Sequence, residues 1–68
     1  MKTEAQIVES YKATQDEASA AAENAVMTLQ DQYGFDNVTA EFVEAHQAEY
    51  MMWFESSIEA LIESKFYR

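Results

Sequence analysis

The sequence predicts an all-α protein, and three observations lead to that prediction. Its 68 residues include one glycine and no proline, so the residues that form tight hairpin turns are nearly missing. Apolar residues recur at three- and four-residue spacing on both sides of one break at residues 33–37, as they do in helices that bury one face. The hydrophobic fraction of 49% favours a folded domain over a disordered chain.

The first predicted helix covers residues 3–33. Thr3 can cap its N-terminus while Gln6 reaches back, in the Thr-x-x-Gln form of a capping box. Alanines make up much of the apolar stripe of this helix, so a neighbouring helix can approach its backbone closely. We expect this stripe to form one side of the core.

A second possible capping box lies inside that first helix. Thr14 and Glu17 have the same spacing as the first box, and the polar Gln15 interrupts the apolar stripe beside them. We favour a continuous helix. The alternative is a break near residues 13–16, which would give a three-helix bundle.

A corner separates the two predicted helices. Gly34 suits the left-handed position that ends a helix, because it has no Cβ to clash, and Phe35 is then expected to fold back onto Leu29. The second helix is predicted over residues 38–66, with Thr39 as its N-terminal cap.

The second helix carries most of the bulky side chains. Its five consecutive apolar residues at 50–54 sweep more than one helical turn, and a helix that is apolar all round needs cover on more than one side. One partner helix cannot supply that cover. We therefore predict an antiparallel hairpin, residues 1–68 as a single domain, that dimerises into a four-helix bundle.

The charge balance and the missing residue types exclude several functions. Thirteen acidic side chains against four basic ones give a net charge of −9, which argues against direct nucleic-acid binding, because phosphates need lysine and arginine opposite them. With no cysteine, disulfides and thiolate metal sites are impossible. No apolar run approaches the ~20 residues of a membrane span, and no signal peptide follows Met1. The predicted location is the cytoplasm, with no membrane partner.

Few residues are available for catalysis. The serines form no readable Ser-His-acid arrangement, and His46 is the only histidine. A metal site would use His46 and Glu49, doubled across a dimer, but Val43 stands where the Glu-x-x-His pairs of di-iron bundles have glutamate. We favour a half-buried histidine at a helix interface, and predict a non-enzymatic protein without a cofactor or metal.

Two features predict that the protein acts by binding another protein, one with a basic surface. Tyrosine, tryptophan and methionine anchor many interfaces, and glutamates at successive i,i+4 positions form a ladder that would steer such a partner. The predicted partner-binding residues are Tyr50, Met52, Trp53, Glu55, Glu59 and Glu63. Two alternatives remain for the ladder: a DNA mimic that inhibits a nucleic-acid-binding protein, or a solvated face that only keeps the chain soluble.

Four features of the short chain carry a resemblance to a known group of proteins. They are the start Met1-Lys2-Thr3, the alanine-rich acidic helix, the corner Tyr33-Gly34-Phe35 and the end Lys65-Phe66-Tyr67-Arg68. This layout resembles the small early-region accessory proteins of lambdoid temperate phages. The resemblance implies a non-enzymatic protein, made early in infection, that alters host physiology or the lysis–lysogeny choice through host proteins.

The predicted homodimer has a direct test. Two paired hairpins would have twice the mass of the 7.8 kDa chain, because each copy covers the apolar circumference of the other. Light scattering at micromolar concentration measures that mass. A value near 7.8 kDa would contradict the dimer.

Overall fold

Four α-helices and one 3₁₀ turn make up the described part of the chain, which confirms the all-α class. The computed structural model describes residues 2–66, with Phe66 as backbone only, and those residues form no strand. Three chain-end residues of the resemblance, Met1, Tyr67 and Arg68, lie outside the described residues. The elements are α1 (Glu4–Tyr11), α2 (Gln15–Tyr33), the 3₁₀ turn (Phe35–Asn37), α3 (Ala40–Ala45) and α4 (Gln47–Phe66).

The core lies between α1, α2 and α4. α2 and α4 run antiparallel, since Glu17 near the start of α2 pairs with Lys65 near the end of α4, 2.7 Å apart. α1 also packs against α4. Alanines of α2 face bulky side chains of α4, as the sequence predicts. The buried side chains are Ile7, Ala21, Ala25, Leu29, Tyr50, Phe54 and Ile58.

The first helix is broken, so the continuous helix predicted over residues 3–33 is wrong. The chain leaves α1 at Lys12, which has the left-handed conformation φ 54°, ψ 41°. It enters α2 after Thr14. This break adjoins the one given as the alternative, near residues 13–16, and makes the monomer a three-helix arrangement of α1, α2 and α4 with the short α3 at one end.

Hydrogen bonds on both sides of the break satisfy the two helix ends. The Ala13 amide donates to the Val8 carbonyl (3.0 Å) and the Lys12 amide to the Glu9 carbonyl (3.2 Å), the pattern of a Schellman motif. Both predicted capping boxes are formed. A straight helix over the predicted range would be ~46 Å long, whereas the longest extent of the chain is 36 Å. Folding back is what places Ile7 in the core.

The second helix bends at His46, so the single helix predicted over residues 38–66 is corrected to α3 and α4. Thr39 caps α3 as predicted, because its hydroxyl oxygen accepts a hydrogen bond from the Phe42 amide (3.1 Å). His46 has φ −114° and ψ 41°. Its Nδ1 lies 2.9 Å from the Phe42 carbonyl oxygen, and the two rings stack with centroids 4.0 Å apart. These two contacts hold the His46 ring against α3.

The corner between α2 and α3 uses glycine as predicted, but it turns the chain a different way. Gly34 has φ 95° and ψ 137°, and a positive φ favours glycine. A Cβ there would lie 3.0 Å from Nδ2 of Asn37. Since this ψ is extended rather than left-handed helical, the next residue is directed away from α2. Phe35 is 74% exposed, so the expectation that it folds back onto Leu29 is wrong.

Four of the five apolar residues at 50–54 find cover within one chain, whereas Met52 stays 54% exposed. Tyr50 and Phe54 belong to the core. Met51 and Trp53 are half-buried against it. Because both α1 and α2 pack on α4, they supply the two-sided cover that a second copy was expected to provide. The homodimer therefore stays a prediction, and the core of one chain no longer requires it.

The left-handed residue at the break gives a stability prediction. At position 12, Lys12→Gly should be more stable than Lys12→Ala by about 1 kcal/mol, because only the alanine Cβ clashes in the left-handed conformation. At Ser10, inside α1, the order should reverse by about the same amount. The two Lys12 variants each remove one positive charge and the two Ser10 variants remove none, so charge does not differ within a pair. Urea unfolding measures the difference in the free energy of unfolding. If alanine is the more stable residue at position 12, the continuous helix is correct in solution.

Candidate functional site

The structure separates the three predicted apolar anchors. Tyr50 is 7% exposed and belongs to the core; burial, and secondarily the nearby Glu4 carboxylate, raises the pKa of its hydroxyl. Its partner-binding role stays a prediction, with little of the side chain open to a partner. Trp53 is half-buried, and within the described part of the chain its Nε1 is enclosed without a hydrogen-bond partner. Met52 is 54% exposed, so it alone of the three presents most of its side chain to a partner.

α1 lies beside the glutamate ladder of α4. The Tyr11 hydroxyl donates a hydrogen bond to Glu59 (2.7 Å) and lies 3.5 Å from Glu55. Lys2 Nζ also lies 3.5 Å from Glu55, and Glu63 is exposed. Two of the three predicted steering carboxylates are therefore partly engaged inside the molecule. Sequence spacing could not reveal this, because both partners come from α1 and the residues just before it.

Carboxylates raise the pKa of two tyrosine hydroxyls. The hydrogen bond to Glu59 is the largest cause that raises the pKa of Tyr11 to about 12, and burial and the glutamate charge add to it. In the same way, the hydrogen bond to Glu49 raises the pKa of Tyr33 above its ordinary value. Each phenol acts as a donor that joins two elements, α1 to α4 in one case and α2 to α4 in the other.

Charge is unevenly distributed over the fold. The described ion pairs join Lys2 to Glu55 and Lys65 to Glu17, and the contact with Lys65 holds the pKa of Glu17 below its ordinary value. Lys65 lies at the end of the bundle opposite the corner. We call residues 31–49 the corner end, because they comprise the last turn of α2, the 3₁₀ turn, α3 and the start of α4. Its charged side chains are all acidic: Asp31, Asp36, Glu41, Glu44 and Glu49.

Aromatic and polar contacts fix the corner end in shape. The Tyr33 ring lies 5.0 Å from that of Phe42 and 5.8 Å from that of His46, between centroids. Its hydroxyl is 2.8 and 3.0 Å from the two carboxylate oxygens of Glu49. Asn37 Nδ2 donates to the Tyr33 carbonyl oxygen (2.7 Å). The turn is therefore tied both to α2 and to the start of α4.

Sequence reasoning missed the largest exposure of an apolar side chain on this surface. Among the large hydrophobic residues described, Phe35 has the highest exposed fraction, above Met27 (58%) and Met52. Met27 lies with Ala22 and Val26 in a shallow apolar depression on α2. The signal that could have found Phe35 is its place directly after the single glycine, where a turn directs the next side chain.

The residues of the metal hypothesis make other contacts. His46 is stacked on Phe42, and Glu49 is bound by the Tyr33 hydroxyl. Within residues 2–66, no three histidine or carboxylate side chains come together as a metal site. None of the helices in that range combines the length and the apolar character that crossing a membrane demands.

Comparison with known proteins gives no match for this chain among protein-family models, curated proteins or solved structures. What the surface can bind is therefore judged from its own charges and exposed side chains. Those are a net charge of −9 and, within residues 2–65, three large apolar side chains that are each more than half exposed: Met27, Phe35 and Met52.

The Tyr11 contact predicts an alkaline titration. In Glu59→Gln the pKa of Tyr11 should fall from about 12 toward its ordinary value of 10.0, because the charge that opposes the phenolate is lost. Ultraviolet absorbance of tyrosinate, compared with Tyr11→Phe, measures it. Glu63→Gln is the matched control and should leave the titration unchanged; an equal shift in both variants would rule out the specific contact.

The hydrogen bond between Tyr11 and Glu59 also makes the stability of the fold depend on pH in the alkaline range. The phenol binds its proton more tightly in the folded state than in the unfolded state. Its contribution to stability is therefore complete below pH 10 and is lost as the pH rises toward 12.

Proposed function

We propose that this protein is a non-enzymatic binding module that occludes a basic surface on another protein. The charge distribution is the observation that carries the proposal: from residue 13 to residue 64 every charged side chain is acidic. Of these acidic side chains, only Glu17 and Glu55 belong to a described ion pair, each with a lysine. A fold with this much acid free to face outward is suited to attract a lysine- and arginine-rich surface and to speed the encounter.

Exposed apolar side chains supply the other half of an interface. Protein interfaces combine an apolar centre with a polar, solvated rim. Such a centre needs an exposed apolar anchor, and the described large hydrophobic residues that are more than half exposed are Met27, Phe35 and Met52. An acidic residue lies close to each of these candidates in sequence, at Glu23, Asp36 and Glu55. Occlusion, rather than chemistry, is the mechanism that these residues support.

The resemblance to phage early-region proteins extends the proposal to the class of partner. In that setting the partner would be a regulatory factor of the host, and the protein would act in the host cytoplasm. A protein that only needs to cover a surface can be this small, because it carries no catalytic machinery and needs one rigid face.

The DNA-mimic alternative depends on the ladder Glu55, Glu59 and Glu63. In its favour, their i,i+4 spacing separates the charges by about 6 Å along α4. Against it, the Lys2 ammonium lies beside Glu55, and Glu59 accepts a hydrogen bond from Tyr11. A phosphate mimic needs its charges free in a continuous row, so we place this alternative second.

Affinity capture from a lysate of the natural host tests the two functions. The immobilised protein should retain a basic-surfaced protein at about 50 mM salt and release it at about 500 mM, because ionic contacts are screened. The variant Glu55→Gln/Glu59→Gln/Glu63→Gln should still capture it. For a DNA mimic, that variant should lose the partner, and excess duplex DNA should displace it from the wild type.

The control for capture is an unrelated protein of equal size and net charge. If both proteins retain the same set, the retention reflects charge alone and contradicts a specific function. Recovery of no protein above that control would also contradict the proposal.

A further inference from the structure

We infer that the corner end is the docking surface, with Phe35 as its apolar anchor and the surrounding carboxylates as its rim. The inference rests on the proposed function, and it proposes a different surface from the one that the sequence predicts at Tyr50, Met52, Trp53, Glu55, Glu59 and Glu63. The occupant is a folded protein that presents an apolar pocket bordered by lysine or arginine side chains.

The corner holds the apolar side chain of Phe35 in solvent. Phe35 is 74% exposed, which is unfavourable because water covers most of an apolar side chain. The corner nevertheless holds it outward, since Gly34 adopts φ 95° and ψ 137°. Most of the Phe35 side chain is therefore buried only when a partner covers it.

The turn that carries Phe35 is rigid. The turn is closed by the hydrogen bond from Asn37 Nδ2 to the Tyr33 carbonyl oxygen (2.7 Å) and by that from the Asn37 amide to the Gly34 carbonyl oxygen (3.1 Å). Tyr33 is in turn fixed by Glu49 and by the ring of Phe42. An anchor on a preorganised turn loses little conformational entropy on binding. Rigid aromatic anchors are also the residues that dominate interface energies.

The negative charge near Phe35 selects the kind of partner. Phe35 is followed directly by Asp36 and lies four residues after Asp31, and both carboxylates are exposed. Glu41 and Glu44 on α3 are also exposed, and residues 31–49 contain no lysine or arginine. Lys2 borders this end on the side that Val43 and Gln47 line. A complementary pocket therefore has a basic border. A second copy of this chain, which also carries −9, does not meet that requirement.

The two other exposed apolar residues fit this partner less well. Met52 lines a surface depression together with Lys2 and Glu55, so a positive charge lies beside it. Met27 lies on a helix face with small neighbours and one glutamate, Glu23. Both are flexible side chains, which lose more freedom than a phenylalanine when a partner covers them.

The experiment measures the affinity of the protein recovered by capture, purified and used as the probe. Phe35→Ala should weaken binding at least about tenfold, because it removes the anchor. Met27→Ala is the matched control, since it also truncates an exposed apolar side chain, and it should stay within about twofold of the wild type. Because Phe35 is exposed, thermal unfolding of Phe35→Ala should match that of the wild type.

A second pair of variants tests the rim. Asp31→Asn/Asp36→Asn should slow association and flatten its dependence on salt, as loss of rim charges does. Glu9→Gln/Glu63→Gln makes the same change in net charge away from the corner end and should have a clearly smaller effect. Equal effects of the two pairs would overturn the assignment of the rim.

The outcomes separate the docking surface from the proposed function. If the captured protein binds Phe35→Ala as tightly as the wild type, the corner end is not the docking surface, while the proposed function stands. If nothing specific is captured, the proposed function fails and this inference fails with it.

Discussion

The apolar circumference of α4 is the constraint on which the rest of the structure depends. Tyr50, Phe54 and Ile58 are buried on this one helix, and Met51 and Trp53 beside them are half-buried. One neighbouring helix cannot cover so wide a sector. The chain answers by folding its first segment back as α1, so that α4 is enclosed from two sides. The break in the first helix and the length of each element follow from that requirement.

Burial of so much apolar surface leaves the acidic residues no place except the outside. The few cations are then used as local ties: Lys65 joins the end of α4 to the start of α2, and Lys2 joins the N-terminus to α4. The Lys65 tie lies at the opposite end of the bundle from the corner, whereas Lys2 also borders a depression that Val43 and Gln47 of the corner end line. The fold thus gathers the carboxylates of residues 31–49, a stretch without lysine or arginine, at one end of the molecule. That end also carries Phe35, the most outward of its apolar side chains.

Local signals predicted the N-terminal caps of α1, α2 and α3 well but not the start of α4, because a cap is decided by a few neighbouring residues. The boxes at Thr3 and Thr14 and the cap at Thr39 are all formed. Whether the second box would break the helix could not be decided locally. A continuous helix and a broken one satisfy the same backbone groups, and the difference lies in what Ile7 can bury. The binding surface was harder still, since Tyr50 and Phe35 differ in exposure for tertiary reasons.

The sequence by itself determined the helical class, the position of the corner, the helix caps and the acidic character of the protein. Each of these depends on residue type or on spacing within one turn. Only the tertiary structure decided that α1 folds back, that Glu55 and Glu59 meet Tyr11, and that Phe35 rather than Tyr50 faces solvent. Those outcomes depend on contacts between residues far apart in the chain, where many arrangements share the same local pattern and packing selects among them.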